Sequence, residues 1–592
     1  MESIVYGISV IFIFVMFMLL KKSDKQISVI KTIVIGIALL ICYNAFICFI
    51  LGEFKIHISL YLLGVINFIV GALLLIPTIK SKSIQTYYCN VQDIVATVIV
   101  LIITLVLSYL NFGGELHIKY IMTDAAAHFS AAREFYEYGT TVNNIENEAV
   151  SGQFMMGAYT NTGILMKVFG PVIGEMNIYM IFTLFDICML FIMGMSLYVA
   201  VDKLINKKWK FILSMFMILF FMAGYPYNSM ICGYVYLQIG VLLISIIMTI
   251  LSLFEEGISK KFLYITLTVL NIGILATYII FAPVIFIVEF IFIMRKRYSI
   301  NKKIFTLKNI LIAIVVFLIP CIFAIYYYVM PGLIASSSGN GEMFYNLEGY
   351  IYRNLWANFI FLIPIALMCI KNKNDDTSIW ITTFSTLLII MLSYLILINV
   401  FRLATYYYYK FNYILWYLLW YGSIYSINAF EGKKEKVLSG FIILYMIIGI
   451  FVIYFGKVEI NQYVYNVNES IKDVYEIYGI NKTIIKDVEI DLDKYVIDLY
   501  KFVHDNINLE DNNILLVVNP RQEWWFKAFF NYSNRDDFEV MLPSEEIYKW
   551  NDNQYTYALI TYKGLNYKIY EKFINKGNIE FQNNSGIIYK SN

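Results

Sequence analysis

The chain is a succession of apolar runs, each about 20 residues long, separated by short polar segments. A helix rises about 1.5 Å per residue, so a run of that length crosses a hydrocarbon core about 30 Å thick. Such runs fall at 3–20, 28–52, 58–79, 92–110, 176–201, 210–225, 231–254, 262–277, 279–294, 309–330, 355–371, 378–400, 411–429 and 437–455. The pair 262–277 and 279–294 reads either as two short helices or as one long tilted one. Apolar residues make up 60% of the chain and charged residues 15%, with a mean hydropathy of +0.67. A soluble chain carries about 25% charged residues and cannot hide this much apolar surface. The expected fold is mainly α: a polytopic transmembrane helical bundle of ~14 spans with a small α/β domain at its C-terminus.

Basic residues set an expected orientation. Alternate loops are lysine-rich: Lys21, Lys22 and Lys25; Lys80 and Lys82; Lys203, Lys207, Lys208 and Lys210; Lys260 and Lys261; Arg295 to Lys308; Lys371 and Lys373; Lys433, Lys434 and Lys436. The intervening loops carry few. The positive-inside rule then places the enriched loops in the cytoplasm and both termini outside. The alternation survives 262–294 only if that pair crosses twice. The N-terminal run Ile4–Leu20 is followed, not preceded, by Lys21 and Lys22, so it reads as a retained span rather than a signal peptide.

Two units are expected: a transmembrane domain over 1–455 and a soluble extracytoplasmic α/β domain over 456–592. Within the first, segment 111–175 is too long for a mere connection; 331–354 and 401–410 are further polar outside segments. Beyond 456, Asn513–Val518 and Tyr557–Tyr562 read as buried strands, Pro520–Phe530 and Tyr567–Asn575 as helices, and 579–581 with 586–589 as a hairpin. None of the seven cysteines forms a close metal or redox pair, and the four histidines are scattered. The net charge of +2 offers no general argument for nucleic acid.

The densest chemical signal is Thr123–Gly139, TDAAAHFSAAREFYEYG. Thr123 is an N-cap residue type and Gly139 a stop, so the segment reads as a helix. Asp124, His128, Ala131 and Phe135 share one face, with Arg133 on the other. Asp124 sits in the first turn, where the helix dipole favours a carboxylate with or without a function. His128 alone reads more readily as a packed or interfacial histidine. Asp186 and Glu289 fall inside spans, at about 2.5–3.5 kcal/mol each on insertion scales, and should face the bundle interior or find partners.

The pattern Asp124-x-x-x-His128-x-x-Ala131-x-Arg133-Glu134, closed by Gly139, resembles the first extracytoplasmic loop of GT-C glycosyltransferases, among them protein mannosyltransferases and the aminoarabinose transferase of lipid A. Ala125 stands where the two-acid form has its second acid, and His128 stands in place of a common tyrosine. The helix pair at 262–294, the stretch RLATYYYYKFNYILW from Arg402 to Trp416 and the C-terminal domain are similar to parts of that architecture too.

The resemblance implies a membrane glycosyltransferase that takes a sugar from a polyprenyl-phosphate donor and passes it, with inversion, to a cell-envelope glycan or lipid on the outer face. Asp124 would be the general base. His128, Arg402, Lys410 and Arg353 would bind substrate, the cations on the donor phosphate; snorkelling at helix ends weighs equally for Arg402 and is the plainer reading of Lys410 and Arg353, and an interfacial belt that of Tyr406–Tyr409. No metal or soluble cofactor is implied, and the C-terminal domain would bind acceptor or a partner protein. The alternatives are a polysaccharide polymerase or ligase, a lipid or oligosaccharide transporter, and a non-catalytic envelope scaffold.

Overall fold

The computed structural model describes residues 1–81, 83–120, 124–140, 156–205, 207–301, 306–325, 362–371, 375–401, 405–455, 476–487, 490–512, 514–530, 556–564 and 578–590. The apolar runs become helices: α1 (Glu2–Leu19), α2 (Val29–Glu53), α3 (Leu60–Ser81) and α4 (Val91–Phe112), then two helices of the long 111–175 segment, α5 (Asp124–Tyr138) and α6 (Met156–Ile173). The bundle continues with α7 (Tyr179–Val201), α8 (Lys208–Ala223), the short α9 (Tyr225–Ile231), α10 (Val235–Glu255), α11 (Lys260–Tyr278) and α12 (Ala282–Asn301). Leu307–Ala313 and Ile319–Ala324 form α13 and α14 around a π-helical turn, Ile314–Leu318. After α15 (Leu362–Leu367) come α16 (Asp375–Phe401), α17 (Thr405–Ala429) and α18 (Lys433–Phe455).

Nine helical stretches among the described residues are long and apolar enough to cross a membrane, and the chain is a multi-pass membrane protein. Burial grades across the bundle. Helix α10 is enclosed nearly all round, whereas α1, α3 and α4 carry rows of exposed large apolar residues such as Ile8, Leu73 and Leu105. Apolar side chains facing outward are stable only against lipid. Small residues let helices approach closely: a Cβ added to Gly71 of α3 would sit 2.5 Å from the Phe12 ring of α1.

The 262–294 segment is two helices. Asn271 of α11 donates a 2.7 Å hydrogen bond to Oε2 of Glu289 on α12. In one continuous helix, residues 18 apart would stand about 27 Å from each other, so the chain turns back at the 3₁₀ turn Ile279–Phe281. The same bond gives Glu289 the interior partner its sequence position demands. Asp186 also finds one, the Tyr120 hydroxyl at 3.1 Å. The 401–410 stretch departs from expectation. From Thr405 onward it is the first turns of α17 rather than a loop, and Tyr408 is buried in the bundle rather than in an interfacial belt. Tyr and Lys depress the hydropathy of that stretch, but packing, not lipid, covers Tyr408 and Lys410.

Lysine-rich loops gather at one end. Ser259 N–H bonds the Lys22 carbonyl, Lys31 pairs with Asp202 at 2.8 Å, and Lys210 donates to the carbonyls of Asn428 and Phe430. The opposite end carries α5, α6 and the C-terminal region. That region comprises α19 (Glu476–Asp487), α20 (Lys494–Asn506) and α21 (Pro520–Phe530) with a four-stranded sheet. Strands β3 (Ile514–Val517) and β4 (Tyr557–Thr561) pair parallel, and β5 (Asn578–Gln582) and β6 (Gly586–Lys590) pair antiparallel, with β6 also antiparallel to β4; here β1 and β2 denote a minimal parallel pair, Ile27–Ser28 and Tyr87–Tyr88. The predicted strands and the Pro520–Phe530 helix are present; the predicted 567–575 helix falls outside the described residues.

Candidate active site where α5 meets α10

Helix α5 forms because its first nine residues, DAAAHFSAA, are dominated by alanine, the best helix former. It ends where expected. Gly139 adopts φ +59°, a left-handed conformation suited to glycine, and its N–H returns to the Phe135 carbonyl. Ile58 N–H then bonds the Gly139 carbonyl at 2.7 Å, which ties the helix end to the loop between α2 and α3. Most of α5 is buried, His128 and Arg133 included, while Asp124 stands exposed at its N-terminal end. Thr123 lies outside the described residues.

The first turn of α5 rests on the turn between α9 and α10. Gly233 there has φ +73°, and a Cβ added to it would stand 2.6 Å from the Ala125 Cβ. That approach explains the missing second acid: position 125 is fully buried against a backbone, with no room for a carboxylate or its hydration. The next residue, Tyr234, donates from its hydroxyl to Oδ2 of Asp124 at 3.2 Å. Among the described residues Oδ1 of Asp124 has no hydrogen-bond partner.

Behind this pair lies a cage of buried aromatic rings. His128 Nδ1 is 2.8 Å from the Tyr159 hydroxyl of α6, and its ring meets Tyr234 and Tyr236 edge-on at centroid distances of 6.1 and 5.2 Å. Tyr236 packs on Tyr278 of α11 at 5.1 Å. Lys410 of α17, wholly buried, places its amine 3.6 Å from the Tyr234 ring centroid and donates to the Tyr236 hydroxyl at 3.4 Å. Burial drives the His128 imidazole down to about 4 from its usual 6.5; nearby Asp124 opposes the change and Lys410 adds to it. The ring is therefore neutral at physiological pH, a hydrogen-bonding group rather than a charge. Its Nε2 is buried without a partner among the described residues. Burial, then the Asp124 charge, raises the Tyr159 phenol well above its usual range, so it remains a hydroxyl.

The fold thus brings together Asp124, His128 and Lys410, three of the residues singled out from the sequence. Lys410 sits in the second turn of α17 but does not reach for headgroups, as snorkelling requires; its side chain is wholly buried inside the bundle. Arg402 and Arg353 lie outside the described residues. Arg133 faces away from Asp124 as its helical position dictates, pairing with Glu137 and Glu175. The sequence reading missed Tyr159, Gly233, Tyr234, Tyr236 and Tyr278. The only hint was a glycine amid tyrosines, Gly233-Tyr234-Val235-Tyr236, at an apparent helix break.

No family model and no curated protein matches the sequence. Among solved structures, the chain is similar to ArnT from Cupriavidus metallidurans bound to undecaprenyl phosphate, with a TM-score of 0.48 and 9% identity over 84% of this chain and 98% of that one. It is similar also to the Archaeoglobus fulgidus oligosaccharyltransferase in complex with zinc and sulfate, with a TM-score of 0.42 and 9% identity over 84% of this chain and 73% of that one. Both scores fall below one half, and the functional reading rests on the residues of the site.

Proposed function

We propose that this chain is a membrane glycosyltransferase of GT-C type, which moves a sugar from a polyprenyl-phosphate donor to a hydroxyl or amine of a cell-envelope glycan or lipid. The observation that supports it most is the state of Asp124. This carboxylate is exposed, has one oxygen held by Tyr234 and the other without a partner among the described residues, and the buried Lys410 amine lies over the ring of that same Tyr234. A base needs one oxygen open to the incoming proton and a fixed direction for it. The positive-inside rule would put this end of the bundle on the outer face, with the N-terminus and C-terminal region on the same side.

In the proposed reaction the acceptor O–H or N–H gives its proton to Asp124 Oδ1. The freed lone pair attacks the anomeric carbon from the face opposite the phosphate, so the configuration inverts. The bond from that carbon to the phosphate oxygen breaks, and its electron pair leaves with the polyprenyl phosphate. Lys410 supplies positive potential for the departing charge. Its effect is not lost for want of direct contact, since the interior screens charge weakly. His128 offers a neutral hydrogen bond to substrate through Nε2. Arg402 and Arg353 remain candidates for the donor phosphate on sequence grounds alone.

The test is transfer from a panel of radiolabelled polyprenyl-phosphate sugars by membranes holding wild type or Asp124→Asn at matched expression. Transfer in the wild type that disappears in the variant supports the reading. Transfer that persists undiminished removes Asp124 from the chemistry.

A further inference from the structure

Helix α5 is held on its other side by the C-terminal region, at three heights. Ahead of the helix, Arg521 Nη1 donates to the Tyr120 carbonyl at 3.1 Å and to Oδ1 of Asp491 at 2.8 Å. Oδ2 of Asp491 accepts from the Tyr120 N–H at 3.4 Å, so both backbone groups of Tyr120, four residues before Asp124, are fixed by one ion pair. Ile118 reinforces this by accepting from the N–H groups of Asp491 and Leu492 at 2.9 and 3.2 Å. Midway, Phe129 packs on Trp525 and Phe529 of α21 at centroid distances of 5.6 and 5.1 Å. Near the far end, Arg133 Nη1 donates to the Ala528 carbonyl at 3.3 Å.

The Tyr120 side chain joins the two bodies. Its ring stacks on Trp525 at 6.0 Å, and its hydroxyl reaches Asp186 and Thr183 inside the bundle. With Gly233 and Tyr234 on one flank and α21 on the other, α5 has little freedom to shift. We propose that the C-terminal region is a positioning element of the catalytic helix, and that Arg521 is the positioning residue through which it fixes the Tyr120 backbone, four residues before Asp124. The proposal rests on Asp124 as the base. It differs from a role in acceptor or partner binding, because it requires the C-terminal region for the chemical step itself.

Asp491 is only 4% exposed and depends on Arg521 for its charge partner. Removing the guanidinium leaves a buried carboxylate that must move or take up a proton, and the Tyr120 backbone moves with it. A displacement of about 1 Å at a reacting group can cost on the order of 100-fold in rate.

The experiment uses the full-length chain in proteoliposomes. Arg521→Ala is expected to lower kcat about 100-fold at saturating substrates with donor and acceptor KM little changed, and Arg521→Lys to restore part of it. In an Asp124→Asn background, Arg521→Ala should cost nothing more. Trp525→Leu, which keeps the Arg521 guanidinium but removes the rings against Tyr120 and Phe129 and the Trp525 hydrogen bond to Asp491, should show the same kcat-selective loss and serves if Arg521→Ala does not fold. A second measurement is independent of activity: Asp124→Cys, with Cys89→Ser and Cys188→Ser to remove the exposed thiols of the described residues, labelled by a membrane-impermeant maleimide. Arg521→Ala, or Trp525→Leu in its place, should change the labelling rate several-fold. A raised acceptor KM at normal kcat, or unchanged labelling, overturns the proposal. Full activity of Asp124→Asn would overturn only the assignment of the base, and labelling would still decide whether the clamp exists.

Discussion

Tyr234 donates a hydrogen bond from its hydroxyl to Oδ2 of Asp124 at 3.2 Å, across the contact between α10 and α5. The bond fixes which way the carboxylate faces and leaves Oδ1 without a partner among the described residues. Losing a general base typically costs 10²–10⁴ in rate, so Asp124→Asn should lower kcat by about that factor. Tyr234→Phe removes only the orienting bond. A hydrogen bond to a charged group is worth about 1.5–3 kcal/mol, which sets the expected loss at roughly 10- to 100-fold. If the two act together, Tyr234→Phe adds nothing in the Asp124→Asn background. Initial transfer rates of the three variants check this, and additive losses would separate Tyr234 from Asp124.

Gly233 is constrained twice, by a positive φ and by the Ala125 Cβ that a side chain would meet at 2.6 Å. Gly432 has a similar φ of +70°, but a Cβ there meets nothing within 4 Å. Alanine at either position carries a left-handed penalty of about 1–2 kcal/mol. Only Gly233→Ala also pushes on the first turn of α5. Gly432→Ala should therefore lower the apparent melting temperature slightly and spare transfer, whereas Gly233→Ala should lose transfer out of proportion to its stability. Ala125→Asp should likewise fail to build a two-acid site and should destabilise, because the new carboxylate would be buried against Gly233.

Lipid explains why so much of the architecture was legible. A span in hydrocarbon must satisfy its own backbone and present apolar side chains, so sequence runs and helices coincide to within a few residues, as in the run 92–110 and Val91–Phe112. Where protein rather than lipid provides the cover, the match fails: Tyr408 and Lys410 belong to a helix that their own hydropathy disguises. Asp124 and His128 stood out as charged or titratable groups on an alanine-rich helix. Tyr159, Tyr234 and Tyr236 did not, because the chain has fifty tyrosines and composition cannot single out three. The docking of Arg521 on Tyr120 links residues 401 apart; no local pattern encodes such a contact.

Acid should weaken the fold through His128. Its folded-state value of about 4 lies below the 6.5 of an unperturbed imidazole, chiefly because burial penalises the charged ring. Between those values the unfolded chain binds a proton that the folded one refuses, so this contribution is complete above about pH 6.5 and falls away as pH drops toward 4. His128→Gln should flatten that part of the curve. Apparent melting temperatures of wild type and variant between pH 4 and 7 check the prediction, and parallel curves would place the acid sensitivity elsewhere.

Lys410 separates an electrostatic role from a packing one. Its amine lies over the Tyr234 ring at 3.6 Å and reaches the Tyr236 hydroxyl at 3.4 Å, in a space with no exposure to solvent. Methionine keeps the length and apolar stem while removing the charge, so Lys410→Met should fold, since a buried charge does not need replacing like for like. If the amine stabilises the departing phosphate, kcat should fall by about 10²–10³, the range seen when one preorganised electrostatic group is removed. Arginine keeps a positive charge but spreads it over a planar fork wider than an ammonium, which the packing of Tyr234 and Tyr236 does not admit. Lys410→Arg should therefore lose stability as well as rate. Comparing kcat with thermal stability for the pair distinguishes the roles. A fully active Lys410→Met would make the lysine a packing element and leave the phosphate to cations outside the cage.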